Sequence, residues 1–508
     1  MSGGEEGPVG PDLAAGIASS DVADGAKLAG HVGDDAVLVA RVGGELFAIG
    51  AHCSHYHGPL ADGLIVGHQV RCPWHHARFC LRTGEALAAP GIDPVGRWDV
   101  EEKDGRIVVR AAAAQPAPAR ASSRGPRQVV IAGGGAAGFA AAEMLRRRGF
   151  DGSLTLLSAD RDAPYDRPNC SKDYLAGEAP AEWMPLRADG WYVDNGIELR
   201  LSTEIASLDP SAKSVALKGG EAVPYDALVL ALGAEPIRLP LPGFDAPSAH
   251  VLRSLADADA ILAAAKGARR VAVVGASFIG LEVAAALRHH GLDVHVAAPE
   301  AVPLARILGD DLGHWIHGLH EAAGVIFHLG CKVEGWDGAR LKLDSGTIEA
   351  DFLVVGAGVR PRTALAEAAG LKVDRGVVVD SRLRTSAPDI YAVGDLARYP
   401  DAATGNLTRV EHWVHAERQG QHAAHVILGD DAPFTDPPFF WSVHHGATIN
   451  YVGHAEAFDP PKMEGSLQSQ DARVRYVQGG RTLAVATVGR DVESLQAGVA
   501  LEQASTPA

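Results

Sequence analysis

Residues 34–110 alternate apolar and polar positions in short runs. Examples are "AVLVARVGGELFAIG", "HQVRCPWH" and "RWDVEEKDGRIVVR", and turns rich in glycine and aspartate separate them. Because successive side chains of a strand point to opposite faces, this period of two predicts strands with one buried face. We expect residues 1–110 to form a small all-β domain.

The pattern changes at Gln128. "QVVIAGGGAAGFAAAEMLRRRG" and, later in the chain, "RRVAVVGASFIGLEVAAALRHHG" share one layout. Each begins with a short apolar run, continues through a glycine turn and ends in a segment with apolar residues at helical spacing. Strands that alternate with helices predict parallel sheets, and hence two doubly wound α/β domains.

The boundaries follow from these changes and from composition. The stretch "AAAAQPAPARASSRGPR" (residues 111–127) has no periodic apolar face, and its alanine, proline and serine content is typical of a linker. The predicted domains are residues 1–110, then 128–245 and 366–432 as two parts of one α/β domain, 246–365 as the second α/β domain, and 433–508 as a small α+β domain.

Charge and composition exclude several classes of function. The formal net charge is −17, whereas nucleic acids and anionic membranes are bound by basic surfaces. The N-terminus carries acidic residues where a targeting peptide would carry basic ones, and the sequence has no long uncharged apolar run. We therefore expect no nucleic-acid partner, no membrane segment and a cytoplasmic location. The five cysteines are too few and too unevenly placed for a disulfide scaffold.

Four of the cysteine and histidine side chains form two short pairs, Cys53-Ser-His55 and Cys72-Pro-Trp-His75. A Rieske [2Fe-2S] centre takes two cysteines on one iron and two histidines on the other. Tetrahedral zinc also accepts two cysteines and two histidines, so zinc is the alternative. Each loop here mixes the two residue types within an all-β domain, which favours the iron–sulfur cluster.

The sequence around the pairs, "HYHGPLADG" and "CPWHHA", closely resembles the Rieske ferredoxin family. The resemblance implies that Cys53, His55, Cys72 and His75 ligate the cluster. High-potential members carry a second cysteine in each loop, where this chain has Gly58 and Trp74, and a hydroxyl where it has Ala77. Fewer hydrogen bonds to sulfur predict a reduction potential near the low end of the Rieske range, about −150 mV.

Two glycine turns match the dinucleotide-binding pattern. Gly133, Gly135 and Gly138 follow a predicted strand and begin a predicted helix. Gly275, Ser277 and Gly280 repeat the spacing with serine at the middle position. Such glycines let the backbone approach a pyrophosphate at the N-terminus of the helix, and two copies in one chain predict two nucleotide sites.

Three further segments carry a resemblance. "APYDRPNCSKDYLAG", "YDALVLALGAEP" and "IYAVGDLA" are similar to segments of apoptosis-inducing factors and of the ferredoxin reductases that serve Rieske oxygenases. With its N-terminal domain, the chain looks like a Rieske-containing, apoptosis-inducing-factor-like oxidoreductase. The resemblance implies FAD at the first nucleotide site and a nicotinamide nucleotide at the second.

The same resemblance implies roles for individual residues. Lys172 and Glu282 would pair at the nicotinamide site, and Trp441 would shield one face of the flavin; these are the predicted catalytic residues. The predicted cofactor contacts are Gly133, Gly135, Ala137, Gly138, Asp160, Arg167, Lys172, Ile205, Arg253, Gly275, Ser277, Gly280, Glu282, Glu300, Arg306, Gly358, Asp395, Glu411, His412 and Trp413.

Two positions depart from the family pattern. After the second strand of the FAD unit, Ala159 stands where an acid is usual, and Asp160 follows it. After the corresponding strand of the second unit, Glu300 matches an acid of apoptosis-inducing factors, with the basic Arg306 nearby. An acid that binds the ribose 2′-hydroxyl favours NADH, so NADH rather than NADPH is expected.

These expectations combine into one function. NADH would reduce FAD, FAD would reduce the chain's own Rieske cluster, and the cluster would reduce an external acceptor protein, such as an oxygenase or a cytochrome P450. The alternative is a redox-sensing protein with slow turnover that resembles apoptosis-inducing factors, for which a homodimer is possible. Disulfide reduction is not expected, because Leu175 stands where disulfide reductases carry the partner of Cys170.

Overall fold

The computed structural model describes residues 9–114 and 125–505. They divide into two compact units. Residues 9–114, 147–149 and 490–505 form the first unit, and residues 125–146 and 150–489 form the second. Of the linker predicted at 111–127, residues 115–124 lie outside the described residues.

The first unit is built from short antiparallel strands, as the alternating pattern predicts. Its strands are β1 (Ile17–Ala18), β2 (Lys27–Val32), β3 (Asp35–Val42), β4 (Glu45–Gly50), β5 (Leu64–Val66), β6 (Gln69–Arg71), β7 (Arg78–Cys80), β8 (Ala86–Ala88), β9 (Arg97–Lys103) and β10 (Arg106–Ala112). One sheet has the order β1-β10-β9-β4-β3-β2, and a smaller one has the order β5-β6-β7-β8.

The apolar positions of these strands form the core. Leu38, Phe47 and Ile49 point to one face of the larger sheet and pack with Val70 and Phe79 of the smaller sheet. The two cysteine–histidine loops connect elements around this core. The predicted all-β domain is confirmed.

The second unit begins with a parallel sheet. Its first elements are β11 (Gln128–Ala132), α1 (Ala136–Arg147), β12 (Ser153–Leu157), α2 (Asp173–Ala176), α3 (Trp191–Asp194), β13 (Ile197–Arg200), β14 (Ile205–Asp209), β15 (Ser214–Leu217), β16 (Ala222–Pro224), β17 (Ala227–Leu230) and β18 (Ala234–Pro236). Strand β11 lies between β12 and β17, with parallel pairing on both sides. The buried runs "VVIA" and "ALVL" fill this sheet because helices and loops cover both of its faces.

A second parallel sheet repeats the layout. The elements that follow are β19 (Ala249–Val251), α4 (Leu255–Ala265), β20 (Arg270–Val274), α5 (Phe278–His289), β21 (Asp293–Ala298), α6 (Ala305–Leu308), α7 (Asp310–Ala322), β22 (Ile326–Leu329), β23 (Val333–Trp336), β24 (Arg340–Leu343), β25 (Gly346–Glu349), β26 (Phe352–Val355), β27 (Val359–Pro361) and α8 (Ala364–Ala368). The sheet order is β19-β26-β20-β21-β22. Both predicted α/β folds are confirmed.

The chain then returns to the first parallel sheet before it forms an antiparallel one. The elements are β28 (Val377–Val378), β29 (Ile390–Ala392), β30 (Ala397–Pro400), β31 (Leu407–Thr408), α9 (Trp413–Ile427), β32 (Phe439–His444), β33 (Ala447–Gly453), β34 (Lys462–Ser466), β35 (Asp471–Gln478) and β36 (Arg481–Val488). Strand β29 pairs with β17 at the edge of the first sheet. The antiparallel sheet has the order β32-β33-β36-β35-β34.

The last helix, α10 (Asp491–Ser505), belongs to the first unit. Glu502 on this helix forms ion pairs with Arg71 at 2.7 Å and with Arg78 at 2.6 Å. The segment predicted as one domain at 433–508 thus has its strands in the second unit and its helix in the first. No helix among the described residues is long and apolar enough to cross a membrane.

Helices α1 and α9 make a close contact that depends on a glycine. A Cβ atom at Gly420 would lie 2.1 Å from the carbonyl oxygen of Ala137. We predict that Gly420→Ala lowers the free energy of unfolding by about 1–3 kcal/mol, because backbone must move to relieve the overlap. Thermal or denaturant unfolding measures this change.

Gly318→Ala is the matched control, because Gly318 lies in helix α7 and nothing stands within 4 Å of a Cβ there. Alanine has the higher helix propensity, so this variant should gain up to about 1 kcal/mol. Equal stabilities of the two variants would contradict the packing argument.

Candidate functional site

The two cysteine–histidine loops have matching backbone hydrogen bonds. The Cys53 N–H donates to Gly58 O at 2.9 Å, and the Cys72 N–H donates to Ala77 O at 2.8 Å. In each loop the fourth residue after the cysteine donates back to the cysteine carbonyl, and that residue, His57 or His76, has a positive φ. The two loops therefore present their side chains in the same way.

This geometry brings like ligands together. The thiols of Cys53 and Cys72 share a hydrogen bond, and the Nδ1 atoms of His55 and His75 face each other 3.1 Å apart. Each loop thus supplies one member of a sulfur pair and one member of a nitrogen pair. The donor set fits a Rieske cluster, in which one iron takes two cysteines and the other takes two histidines.

The protonation state of His55 suits metal ligation. Burial lowers the pKa of His55 to about 3, so its ring is neutral. The hydrogen bond between the thiols and burial raise the pKa of Cys53, while the same hydrogen bond lowers the pKa of Cys72. Backbone N–H groups donate to both sulfur atoms, from His55 to Cys53 and from Trp74 and His75 to Cys72.

Gly58 and Trp74, which stand where high-potential proteins carry cysteines, pack against each other. A Cβ at Gly58 would lie 2.8 Å from Cys72 Sγ and 3.1 Å from the Trp74 ring. The indole ring therefore occupies the space beside the sulfur of Cys72. A side chain at position 58 would have to displace either the ring or the sulfur.

The first dinucleotide turn has the geometry that a pyrophosphate needs. Gly133 has φ of +117°, and a Cβ there would lie 2.2 Å from Ala231 O. A Cβ at Gly138 would lie 1.8 Å from Gly133 O, so this glycine allows helix α1 to pack on the turn. At Gly135 the nearest atom is Arg167 Nη1 at 3.6 Å. An open space bordered by a guanidinium at a helix N-terminus fits an anionic group. Ala137 follows in the first turn of α1 and is buried.

Other predicted flavin contacts form ion pairs or hydrogen bonds nearby. Arg253 Nη2 lies 2.6 Å from Asp395 Oδ2, and Asp395 is buried. Asp160 accepts a hydrogen bond from Tyr165 OH at 2.9 Å, and the guanidinium of Arg167 lies 5.5 Å from the centre of the Tyr165 ring. Arg167 Nε is buried without a hydrogen-bond partner among the described residues. Ile205 begins strand β14 and is half-buried.

Three further predicted cofactor contacts, Glu411, His412 and Trp413, lie at the N-terminus of helix α9. His412 is the N-cap residue and makes no side-chain capping bond, so the first N–H groups of the helix are open. Burial lowers the pKa of His412 well below its usual value, and its Nδ1 has no hydrogen-bond partner within the described ranges. Glu411 pairs with Arg409 at 2.5 Å, but burial raises its pKa. Trp413 is the first residue of the helix.

The second dinucleotide turn repeats the first with one change. Gly275 has φ of +107°, and a Cβ at Gly280 would lie 2.1 Å from Gly275 O. Ser277, at the middle position, caps helix α5 by accepting from the Gly280 N–H and donates to Gly356 O at 2.9 Å. Gly358, with φ of +95°, lies between strands β26 and β27.

Glu300 and Arg306 lie just beyond the carboxyl end of β21. Both side chains are exposed, and neither forms an ion pair with another described residue. The structure brings each to the edge of the second parallel sheet, where a nucleotide binds in doubly wound folds.

Lys172 and Glu282 form the ion pair expected from the sequence. Lys172 Nζ lies 2.9 Å from Glu282 Oε2, and the carboxylate is buried. Trp441 stands beside the pair, with its ring centre 5.7 Å from Lys172 Nζ. Ser171 donates to Glu282 Oε2 at 2.5 Å and Ser442 donates to Glu282 Oε1 at 2.6 Å.

No motif of the sequence points to these two serines. Ser171 precedes Lys172 in "CSK" and Ser442 follows Trp441 in "FWS", so both stand in segments that carry the resemblance. Their positions next to Lys172 and Trp441 are the only local sign that these serines belong to the site. The hydrogen bonds themselves join residues 111 and 160 positions apart, which no local pattern reveals.

Cys170 is a buried residue in an apolar cluster with Tyr165, Met184 and Ala258. Burial raises the pKa of its thiol to about 12. Every cysteine among the described residues is a free thiol. A protonated, buried thiol without a second cysteine beside it does not perform disulfide exchange.

Comparisons with known proteins agree with this description. A model of the pyridine nucleotide-disulphide oxidoreductase family matches residues 127–420, and a model of the Rieske [2Fe-2S] domain matches residues 14–99. The human protein Apoptosis-inducing factor 3 is 32% identical over 495 residues, which cover 93% of this chain and 81% of that protein.

Reductases of electron-transfer systems also match. Rhodocoxin reductase of Rhodococcus erythropolis is 36% identical over 73% of this chain and 88% of its own. The crystal structure of a covalent putidaredoxin reductase–putidaredoxin complex superimposes with a TM-score of 0.71 at 34% identity, covering 74% of this chain and 93% of that chain.

The predicted family, the succession of a Rieske domain and α/β domains, and the oxidoreductase class are thereby confirmed. The family implies FAD and a nicotinamide nucleotide, and the N-terminal domain implies a [2Fe-2S] cluster. The chain belongs to the pyridine nucleotide-disulphide oxidoreductase family, as a ferredoxin-reductase-type enzyme that carries its own Rieske domain.

Proposed function

We propose that the protein transfers electrons from NADH through FAD to its own Rieske cluster, and from there to an external acceptor protein. The observation that carries the proposal is the presence in one chain of two dinucleotide turns and a matched pair of cysteine–histidine loops. FAD, when bound, accepts an electron pair as hydride and releases electrons singly, and a Rieske cluster carries one electron.

In this proposal the glycine turn at Gly133 and helix α1 hold the FAD pyrophosphate, with Arg167 at its border. The pair of Asp395 and Arg253 would hold the part of FAD between pyrophosphate and flavin. The open N-terminus of α9 would suit a flavin ring bound there, because a helix N-terminus stabilises negative charge. Trp413 anchors that end of the helix.

Lys172 and Glu282 position the nicotinamide. The buried carboxylate accepts three hydrogen bonds, so its orientation is fixed. Trp441 beside Lys172 supplies an apolar surface that excludes water. These residues orient the nucleotide, while the cofactors carry the redox chemistry.

The external acceptor is a one-electron carrier or a redox enzyme. Support comes from relatives that are named as ferredoxin reductase components of dioxygenase and demethylase systems. A second candidate function is redox sensing with slow turnover, supported by the coverage of Apoptosis-inducing factor 3 along almost the whole chain. Rapid reduction of a protein acceptor distinguishes the enzyme from the sensor.

The first prediction concerns the metal. Purified protein should contain about two iron atoms and about two acid-labile sulfides per chain, and reduction should give a Rieske-type paramagnetic signal. Cys72→Ser should lose the cluster, because a ligand is removed. Cys80→Ser, on strand β7 outside the two loops, should keep it. One zinc per chain in place of iron would contradict the assignment.

The second prediction concerns the nucleotide. Glu300→Ala should reduce the preference for NADH over NADPH by about tenfold in kcat/KM, because a charged hydrogen bond to the ribose 2′-hydroxyl is lost. Steady-state kinetics with both nucleotides measure it. Glu334→Ala, an exposed acid on strand β23, is the control. Equal efficiencies with both nucleotides in the parent protein would exclude Glu300 as the discriminating residue.

The third prediction concerns the electron path. His75→Ala should lose or alter the cluster, but it should keep FAD and still bleach with NADH, because the residues proposed to hold both nucleotides lie in the second unit. Reduction of a one-electron protein acceptor should fall by roughly tenfold or more if the cluster is the exit. His52→Ala, an exposed histidine next to the first loop, is the control. If His75→Ala reduces the protein acceptor at the parental rate, the redox-sensing function would be favoured.

A further inference from the structure

A line of hydrogen-bonded side chains connects Glu282 to the surface. Ser442 Oγ lies 2.6 Å from Glu282 Oε1 and 3.1 Å from His444 Nε2. His444 Nδ1 lies 3.1 Å from His320 Nε2, and His320 Nδ1 lies 3.2 Å from His445 Nε2. The first four side chains are buried, whereas His445 is exposed. The line therefore joins the ion pair of the nicotinamide site to solvent.

Two elements and one turn hold this line in place. Strand β32 carries Ser442 and His444 on its buried face, and helix α7 carries His320 against them. His445 and Gly446 form the tight turn between β32 and β33, with φ of +49° and +83°. Positive φ at both positions is typical of a two-residue hairpin turn. The turn directs His445 both to His320 and to solvent.

The hydrogen bonds have one consistent direction. An ionised Glu282 only accepts, so Ser442 donates its single proton to it and must accept from His444 Nε2–H. Nδ1 of His444 then accepts from His320 Nε2–H, and Nδ1 of His320 accepts from His445 Nε2–H. When Glu282 is protonated, the same contacts are satisfied with every donor reversed. The two arrangements differ by one proton.

We propose that Ser442, His444 and His320 form a proton relay between Glu282 and solvent at His445. Its purpose rests on the proposed function, in which NADH oxidation by one-electron acceptors gives NAD⁺, two electrons and one proton.

For release, Glu282 gives its proton to Ser442 Oγ, and Ser442 gives its own to His444 Nε2. His444 passes Nδ1–H to His320 Nε2, and His320 passes Nδ1–H to His445 Nε2. His445 then gives Nδ1–H to water. Five bonds to hydrogen break and five form, so one proton moves from Glu282 to water.

The buried surroundings of His320 and His444 disfavour a positive charge on either ring, so a proton is passed on and not held there. Burial, with a smaller contribution from neighbouring histidines, lowers the pKa of His320 to about 2, and burial lowers the pKa of His444 to about 4. Neutral imidazoles are therefore the resting forms of both.

The charged and titratable neighbours come from several elements. Lys172 and Glu282 face His444, His317 faces His320, and Arg288 faces His445. The two opposite charges near His444 largely offset each other, and Arg288 lowers the pKa of His445 further. No neighbour in this set stabilises a proton held on His320.

The test variant is His320→Gln, because an amide can keep both hydrogen bonds but does not transfer a proton through its side chain. Proton release is followed with a pH indicator in stopped flow while NADH reduces ferricyanide. Release should slow by roughly tenfold or more relative to the parent, while bleaching of the flavin by NADH stays unchanged. His314→Ala, an exposed histidine on the same helix, is the control and should release protons at the parental rate.

A rescue experiment separates relay from packing. His445→Ala removes the solvent end of the line, and added imidazole should restore proton release, because the free ring can occupy the exposed position. A merely structural role of His445 would show no dependence on imidazole. The relay would be overturned if imidazole does not restore proton release in His445→Ala. It would also be overturned if His320→Gln releases protons at the parental rate.

Nuclear magnetic resonance of protein labelled with ¹⁵N-histidine gives a readout that is independent of turnover. At neutral pH the oxidised protein should show His320 and His444 as neutral rings protonated at Nε2, with assignments from the single variants. Charged rings, or one ring protonated at Nε2 and the other at Nδ1, would break the line and overturn the relay even if an acceptor protein is reduced normally. If the rings have the expected form but no acceptor is reduced, the proposed function fails and the relay stands.

Discussion

The buried carboxylate of Glu282 joins three segments of the second unit that are far apart in sequence. Lys172 and Ser171 come from the segment after β12, Ser442 comes from strand β32, and Glu282 itself lies on helix α5. A charge inside a protein is tolerated only when it is paired and hydrogen-bonded, and removal of one partner of such a group costs about 3–5 kcal/mol. The position of each segment is therefore fixed by the other two.

The two carboxylate oxygens of Glu282 have different partners. Oε2 accepts from Lys172 and Ser171, and Oε1 accepts from Ser442. The first oxygen is thereby committed to the ion pair at the nucleotide site. The second continues into the hydrogen-bonded line through His444. One side chain can thus keep the hydrogen bond from Lys172 at Oε2 while it exchanges a proton through Oε1.

How much could be read from the sequence depended on the range of the interaction. The cysteine–histidine loops and both glycine turns are local patterns, so spacing alone located Cys53, His75, Gly133 and Gly275. The partners of Glu282 could be found only in part: Lys172 came from a resemblance, and the serines were not assigned.

Other features depend on contacts that local patterns do not encode. The sequence predicted a small α+β domain from residue 433, but not that His444 meets His320 from a helix 124 positions earlier. Helix α10 belongs to the first unit, where Glu502 pairs with Arg71 and Arg78, which are 431 and 424 positions away. Such pairings are decided by the tertiary packing as a whole.

The Rieske domain and Cys170 bear on the same question, namely where a reduced flavin sends its electrons. Members of the family that reduce disulfides use a pair of cysteines beside the flavin, and here Leu175 replaces one of them. The remaining thiol is buried with a pKa of about 12, so it is a poor nucleophile. The cysteine and histidine pairs of the first unit instead fit a cluster that takes one electron at a time. A chain that lacks the two-electron outlet but has a one-electron carrier is suited to one-electron acceptors, and each NADH then leaves one proton to be moved to solvent.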